Sequence, residues 1–175
     1  MALVEIQRVQ QKNISLSEYI GSFKKKTVLV LGDYDDEGLA RLEEIRDVLT
    51  KIGYEPFLLK DIPDHPYQDL RQKVVAVGAV SRFIVVDDSS KSGHLLEIQL
   101  CDQNRWVTVL LHADGLSGSW MTAGLSHTSG VILEQAYSPT DLEATLIDAS
   151  SWAEKKLQEL QVKFENTYPW RRFSS

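Results

Sequence analysis

Five short apolar runs, separated by stretches with helical spacing, constrain this chain of 175 residues more than any other feature. Thr27 to Leu31 reads T-V-L-V-L, and Leu39, Leu42, Ile45, Leu49 and Ile52 then follow at intervals of three and four, ending at Gly53. That is strand, loop and amphipathic helix. Tyr54 to Leu59, Arg82 to Asp87, Trp106 to Leu111 and Val131 to Leu133 are four further strand candidates, with a helix expected over Tyr67 to Val80 carrying Leu70, Val74, Val77 and Val80 inward. Pro56 places the second strand at a sheet edge, because proline removes a ladder donor. Strands alternating with helices predict a five-stranded parallel sheet with helices on both faces, and right-handed crossovers favour the order 2-1-3-4-5.

Around this core, covering residues 27–137, the sequence predicts two attachments. Residues 1–26 form an N-terminal extension in which Ser15-Leu16-Ser17-Glu18 reads as a capping box and Tyr19, Ile20 and Phe23 pack a short helix. Residues 138–175 open at Ser138-Pro139-Thr140-Asp141 into a long helix to about Glu165, with Leu142, Leu146, Trp152, Leu157, Leu160 and Phe164 on its apolar side and a tail beyond. Trp152 and Phe164 exceed what one domain face buries, so a homodimer contact through this helix is expected. A long connection, His112 to Gly130, is expected to act as a lid or binding loop, with Trp120 and Met121 in its middle to cover a ligand or plug the core.

Composition narrows the function classes. A net charge of −6 argues against nucleic acid as partner, and no stretch approaches the roughly 20 apolar residues of a membrane span. The single cysteine, Cys101, permits no intramolecular disulfide and is expected to be a packed thiol. With no signal-peptide pattern at the start, a cytoplasmic setting is expected.

The chemistry-bearing stretch is Phe83 to Glu97, F-I-V-V-D-D-S-S-K-S-G-H-L-L-E. In open α/β sheets ligands bind at the carboxyl ends of strands where the order reverses, here between the first and third strands. Gly32, Asp33 and Tyr34 from the first loop, and Asp87, Asp88, Ser89, Ser92 and His94 from the third, are therefore candidate ligand-binding residues. Glu97 has two readings, a catalytic carboxylate in the second turn of the next helix, or an exposed helix residue with Asp87 and Asp88 as caps. Gly32-Asp33-Tyr34 lacks the later glycines of a dinucleotide fingerprint, and no P-loop is present. Asp33, Asp35 and Asp36 opposite Asp87 and Asp88 also suggest a receiver-like magnesium site, but Tyr137 follows the fifth strand with no lysine nearby. The scattered His65, His94, His112 and His127 have no zinc-ligand spacing.

V-L-V-L-G-D-Y at the first strand, S-R-F-I-V-V-D-D-S at the third and S-G-H-L-L-E opening the next helix resemble the Toll/interleukin-1 receptor (TIR) domain superfamily and the nucleoside deoxyribosyltransferase-like proteins. The resemblance implies a flavodoxin-like fold, nucleotide binding with no required cofactor, and cleavage of an N-glycosidic bond in NAD or a nucleoside. By position the family's glutamate corresponds to Glu97. Gly93 stands where TIR enzymes usually carry a tryptophan, four residues before that glutamate. The non-catalytic alternatives are a sensor of a nucleotide signal and a TIR-type interaction module.

Overall fold

The computed structural model describes residues 15–90, 95–116 and 124–171. In chain order the elements are α1 (Leu16–Lys24), β1 (Thr27–Leu31), α2 (Asp36–Lys51), β2 (Glu55–Leu58), a 3-10 turn (Leu59–Asp61), α3 (Leu70–Val80), β3 (Phe83–Asp87), α4 (Leu95–Gln103), β4 (Thr108–Ala113), α5 (Leu125–Thr128), β5 (Ile132–Tyr137), a second 3-10 turn (Pro139–Asp141) and α6 (Leu142–Thr167). The sheet is wholly parallel in the order β2-β1-β3-β4-β5, as the alternation of elements predicts. β1 and β3 are neighbours, with Val28 opposite Phe83 and Leu31 opposite Val86.

Because side chains alternate across a strand, each inner strand supplies both faces. Val28, Val30, Phe83, Val85, Val109 and Leu111 pack with Leu42, Ile45 and Leu49 of α2 and Leu142, Leu146 and Ala153 of α6. Leu29, Leu31, Ile84, Val86 and Leu110 face the other way, onto Val74 of α3 and Ile98 and Cys101 of α4. α2 and α4, which leave the neighbouring strands β1 and β3, thus lie on opposite faces. That is the condition for a crevice at the switch point.

Local chemistry explains most boundaries. Asp35 caps α2 by accepting from the Gly38 N–H at 2.6 Å, and Gly53, at φ 100°, follows its end. Ser15 and Glu18 form the expected capping box of α1, although only Phe23 docks, its ring 5.6 Å from Phe57, while Tyr19 and Ile20 are exposed. β2 is an edge strand, as Pro56 requires.

Elsewhere the structure corrects the sequence reading. α3 starts at Leu70 rather than Tyr67, because Asp69 and Gln72 form a capping box there, and Leu70 and Tyr67 are exposed while Lys73, Val74 and Gly78 are buried. β4 begins two residues later than expected, since Trp106 terminates α4 and covers Gly78, where a Cβ would lie 2.4 Å from the indole. β5 runs on through Glu134 and Gln135, polar residues tolerated because the strand is an edge. The long connection contains the helical turn α5; Trp120 and Met121 lie outside the described residues. No helix among the described residues is long and apolar enough to cross a membrane.

Candidate functional site

The carboxyl end of β3 carries three buried polar residues in a row, Asp87, Asp88 and Ser89, and strand alternation divides them between the two faces. Asp87 continues the Phe83–Val85 side of β3 and so points toward α2, where its Oδ2 accepts from Arg41 Nε at 2.8 Å. Its Oδ1 accepts from Ser89 Oγ, and Ser89 Oγ in turn accepts from the Ala113 N–H at 2.8 Å. Asp87 is 1% exposed, so this carboxylate is a buried junction between α2, β3 and the end of β4. Burial works against the Arg41 charge, but the hydrogen bond and charge of Asp87 outweigh it and raise the guanidinium further above its ordinary value. Tyr137 completes the cluster from β5: burial first, then the Asp87 charge, pushes its phenol up to about 12, so it stays protonated at neutral pH.

The opposite face holds a second group. His112 follows Leu110 on that side of β4, and its Nδ1 is 4.0 Å from Oδ2 of the buried Asp88. The Asp88 N–H donates to Leu111 O at 2.9 Å, extending the sheet one step beyond β3. Tyr34, in the loop after β1, accepts from the Leu59 N–H at 3.0 Å and so ties that loop to the first 3-10 turn. Burial raises the Tyr34 pKa, and the charges of Asp61 and Glu97 add to it.

Glu97 is the third residue of α4 as described; Ser92, where the sequence reading starts the helix, lies outside the described residues. Cys101 sits one turn further along the same helical face and is wholly buried against the sheet; burial pushes its thiol up to about 12, with Glu97 contributing. That spacing turns Glu97 inward, and the residue is half-buried.

The rim thus brings Gly32, Asp33, Tyr34, Asp87, Asp88, Ser89 and Glu97 to one end of the sheet. They are not equivalent there. Tyr34 is exposed and Asp33 and Glu97 are partly exposed, whereas Gly32, Asp87, Asp88 and Ser89 are buried. Gly32 is small for a packing reason, since a Cβ would stand 2.7 Å from Leu42 Cδ2 and 3.2 Å from Asp87 Cβ. Ser92 and His94 lie outside the described residues. Among the described residues no group of His, Cys, Asp or Glu is placed to hold a metal ion, and Arg41 already neutralises Asp87 where a receiver-like magnesium site would need it.

Sequence reasoning missed Arg41 and Tyr137 and left His112 among scattered histidines. Arg41 looks like any helix-surface arginine, and its partner is 46 positions away. The fold defines a doubly wound, flavodoxin-like α/β protein, with Asp87, Asp88 and Ser89 at the switch-point end of its sheet. No protein-family model and no curated protein matches the chain.

Proposed function

We propose that this chain is a TIR-like or nucleoside deoxyribosyltransferase-like protein that binds a nucleoside or nucleotide, NAD included, in the crevice between the β1 and β3 loops. In this proposal Glu97 acts on the N-glycosidic bond. The observation that carries it is the placement of Glu97, a half-buried carboxylate in the first described turn of the helix after β3, one helical turn before the buried Cys101. Breaking the C1′–N bond sends the electron pair to the base and leaves positive charge on the ribose, which the Glu97 carboxylate stabilises. Water then adds its hydroxide to C1′; its proton goes to the departing base of a nucleoside, or to solvent where the neutral nicotinamide of NAD departs. Tyr34, whose oxygen already accepts from Leu59, keeps its own proton to offer to a ribose hydroxyl. Asp87 takes a positioning part, holding Ser89 and Arg41 beneath the crevice floor.

Incubation with NAD and a nucleoside panel tests this. Free base is expected, and Glu97→Gln should slow its release by about a hundredfold or more. Release that survives the substitution removes Glu97 from the chemistry. A non-catalytic nucleotide sensor is the second reading, favoured by the burial of Asp87, Asp88 and Ser89, which leaves few acids able to meet a ligand; calorimetric binding without base release would select it.

The proposal extends to assembly, with a second copy pairing along the exposed end of α6. Phe164, 48% exposed, supports it.

A further inference from the structure

At the opposite end of the sheet, a cavity of about 170 Å³ opens between the end of α1, the start of β3, the α4–β4 junction and the middle of α6. Trp106, Leu157 and Leu160 form an apolar wall, and the polar lining is Ser81 with three cations, Lys24, Arg82 and Arg105. Arg82 is committed to Glu154 through both its Nε and Nη2. The other two are not. Lys24 is exposed and has no ion pair among the described residues, and Arg105 has only Asp102, with Nη1 to Oδ1 at 3.9 Å, beyond hydrogen-bond distance.

Arg105 is also placed against its own backbone preference. The Arg105 N–H donates to Asp102 O at 3.0 Å and the Trp106 N–H donates to Cys101 O at 3.0 Å, the Schellman closure of α4, in which the residue at position 105 takes a left-handed conformation usually left to glycine. Arg105, at φ 58°, is the one non-glycine residue with positive φ among those described. Backbone strain retained at a cationic side chain beside a cavity points to a use for that side chain.

We propose that this pocket is a binding site for the phosphoryl group of a small monophosphate ester, separate from the crevice at the other rim. Arg105 and Lys24 hold the phosphate, and the Trp106, Leu157 and Leu160 wall covers the organic part. Two cations from different elements match a dianion better than a carboxylate's single charge. The volume, below the roughly 300–1,000 Å³ of drug-sized pockets, restricts the site to a small ligand.

Isothermal titration of the full chain with phenyl phosphate, inorganic phosphate and phenol tests this. Phenyl phosphate should bind most tightly of the three, and Arg105→Gln and Lys24→Gln should each weaken it about tenfold, the loss expected for a charged hydrogen bond. Arg105→Gly is the control for folding: it relieves the left-handed strain, so its melting midpoint should match or exceed that of the parent while phosphate affinity falls. Glu97→Gln, at the far rim, should bind phenyl phosphate unchanged. The proposal is overturned if phenyl phosphate does not bind, if phenol binds as tightly, or if binding is indifferent to Arg105→Gln and Lys24→Gln.

Discussion

Asp87 shows how one residue carries two meanings. At the end of an apolar strand, in a run D-D-S-S, it reads as a ligand-binding acid, and a strand-end carboxylate at a switch point justifies that expectation. The structure gives it Arg41 and Ser89 as partners instead, in a site that is 1% exposed. Removing one member of a buried pair leaves the other charge uncompensated, so Asp87→Ala should lower unfolding free energy in urea by about 3 kcal/mol, with Asp87→Asn costing less. A variant as stable as the parent would show that Arg41 finds water without penalty. Gly32 is similar, since its place beside a candidate site suggests a ligand and its contacts show a helix packed too closely for a side chain. Burial and distant partners are tertiary facts, and neither is visible in a residue's neighbours along the chain.

Among the elements, α6 depends most on a contact that its own sequence does not announce. Glu154 accepts from Arg82 at the start of β3 and from the Tyr54 hydroxyl ahead of β2, fastening the helix to the amino-terminal rim of the sheet. The Arg82 hydrogen bond, against the opposing effect of burial, draws the Glu154 carboxyl below 4.5. A native carboxylate with a depressed pKa stabilises fully above its unfolded value and loses that contribution as pH falls through the depressed one. Glu154→Gln should therefore cost about 1 kcal/mol at neutral pH, a figure held low because the pair is partly exposed, and the gap from the parent should close in acid. Denaturant titrations at pH 7 and below the carboxylate range check it; a gap that persists unchanged in acid would place the effect in packing. At the alkaline end the sign reverses. Tyr54 is raised from 10.0 to about 12, by burial first and then by Glu154, so its protonated form favours the native state and that contribution fades between those two values. Helix identity was legible from three-and-four spacing and caps, whereas the starts of α3 and β4 were not, because Leu70 is apolar yet exposed and Trp106 is apolar yet closes a helix.

For the whole molecule, α6 spans about 39 Å at the usual helical rise, longer than the sheet it covers. Its buried positions end at Ala153, Leu157 and Leu160 are half-buried, and every residue from Gln161 to Thr167 is exposed. Deleting residues 161–175 should therefore leave the thermal midpoint nearly unchanged, within the roughly 0.5 kcal/mol typical of surface changes. If a second copy pairs along α6 at Phe164, sedimentation velocity should show a dimer for the full chain and a monomer for the truncated one. A full chain that is monomeric at every concentration removes the homodimer, and a truncated chain that melts early shows that the helix end supports its own domain.

The architecture was determined by the sequence itself: apolar runs at T-V-L-V-L and F-I-V-V-D, helical spacing between them and Pro56 in the second strand lead to a parallel sheet of known order, because these signals are local and periodic. The same periodicity placed Glu97 on the helix after β3. Only the tertiary structure decided which polar residues at the rim are buried junctions and which face outward, and it alone brought Arg41 to Asp87 and Lys24 to the pocket beside Arg105. Those pairings join positions far apart in the chain, and they exist only once the sheet has set the distance between them.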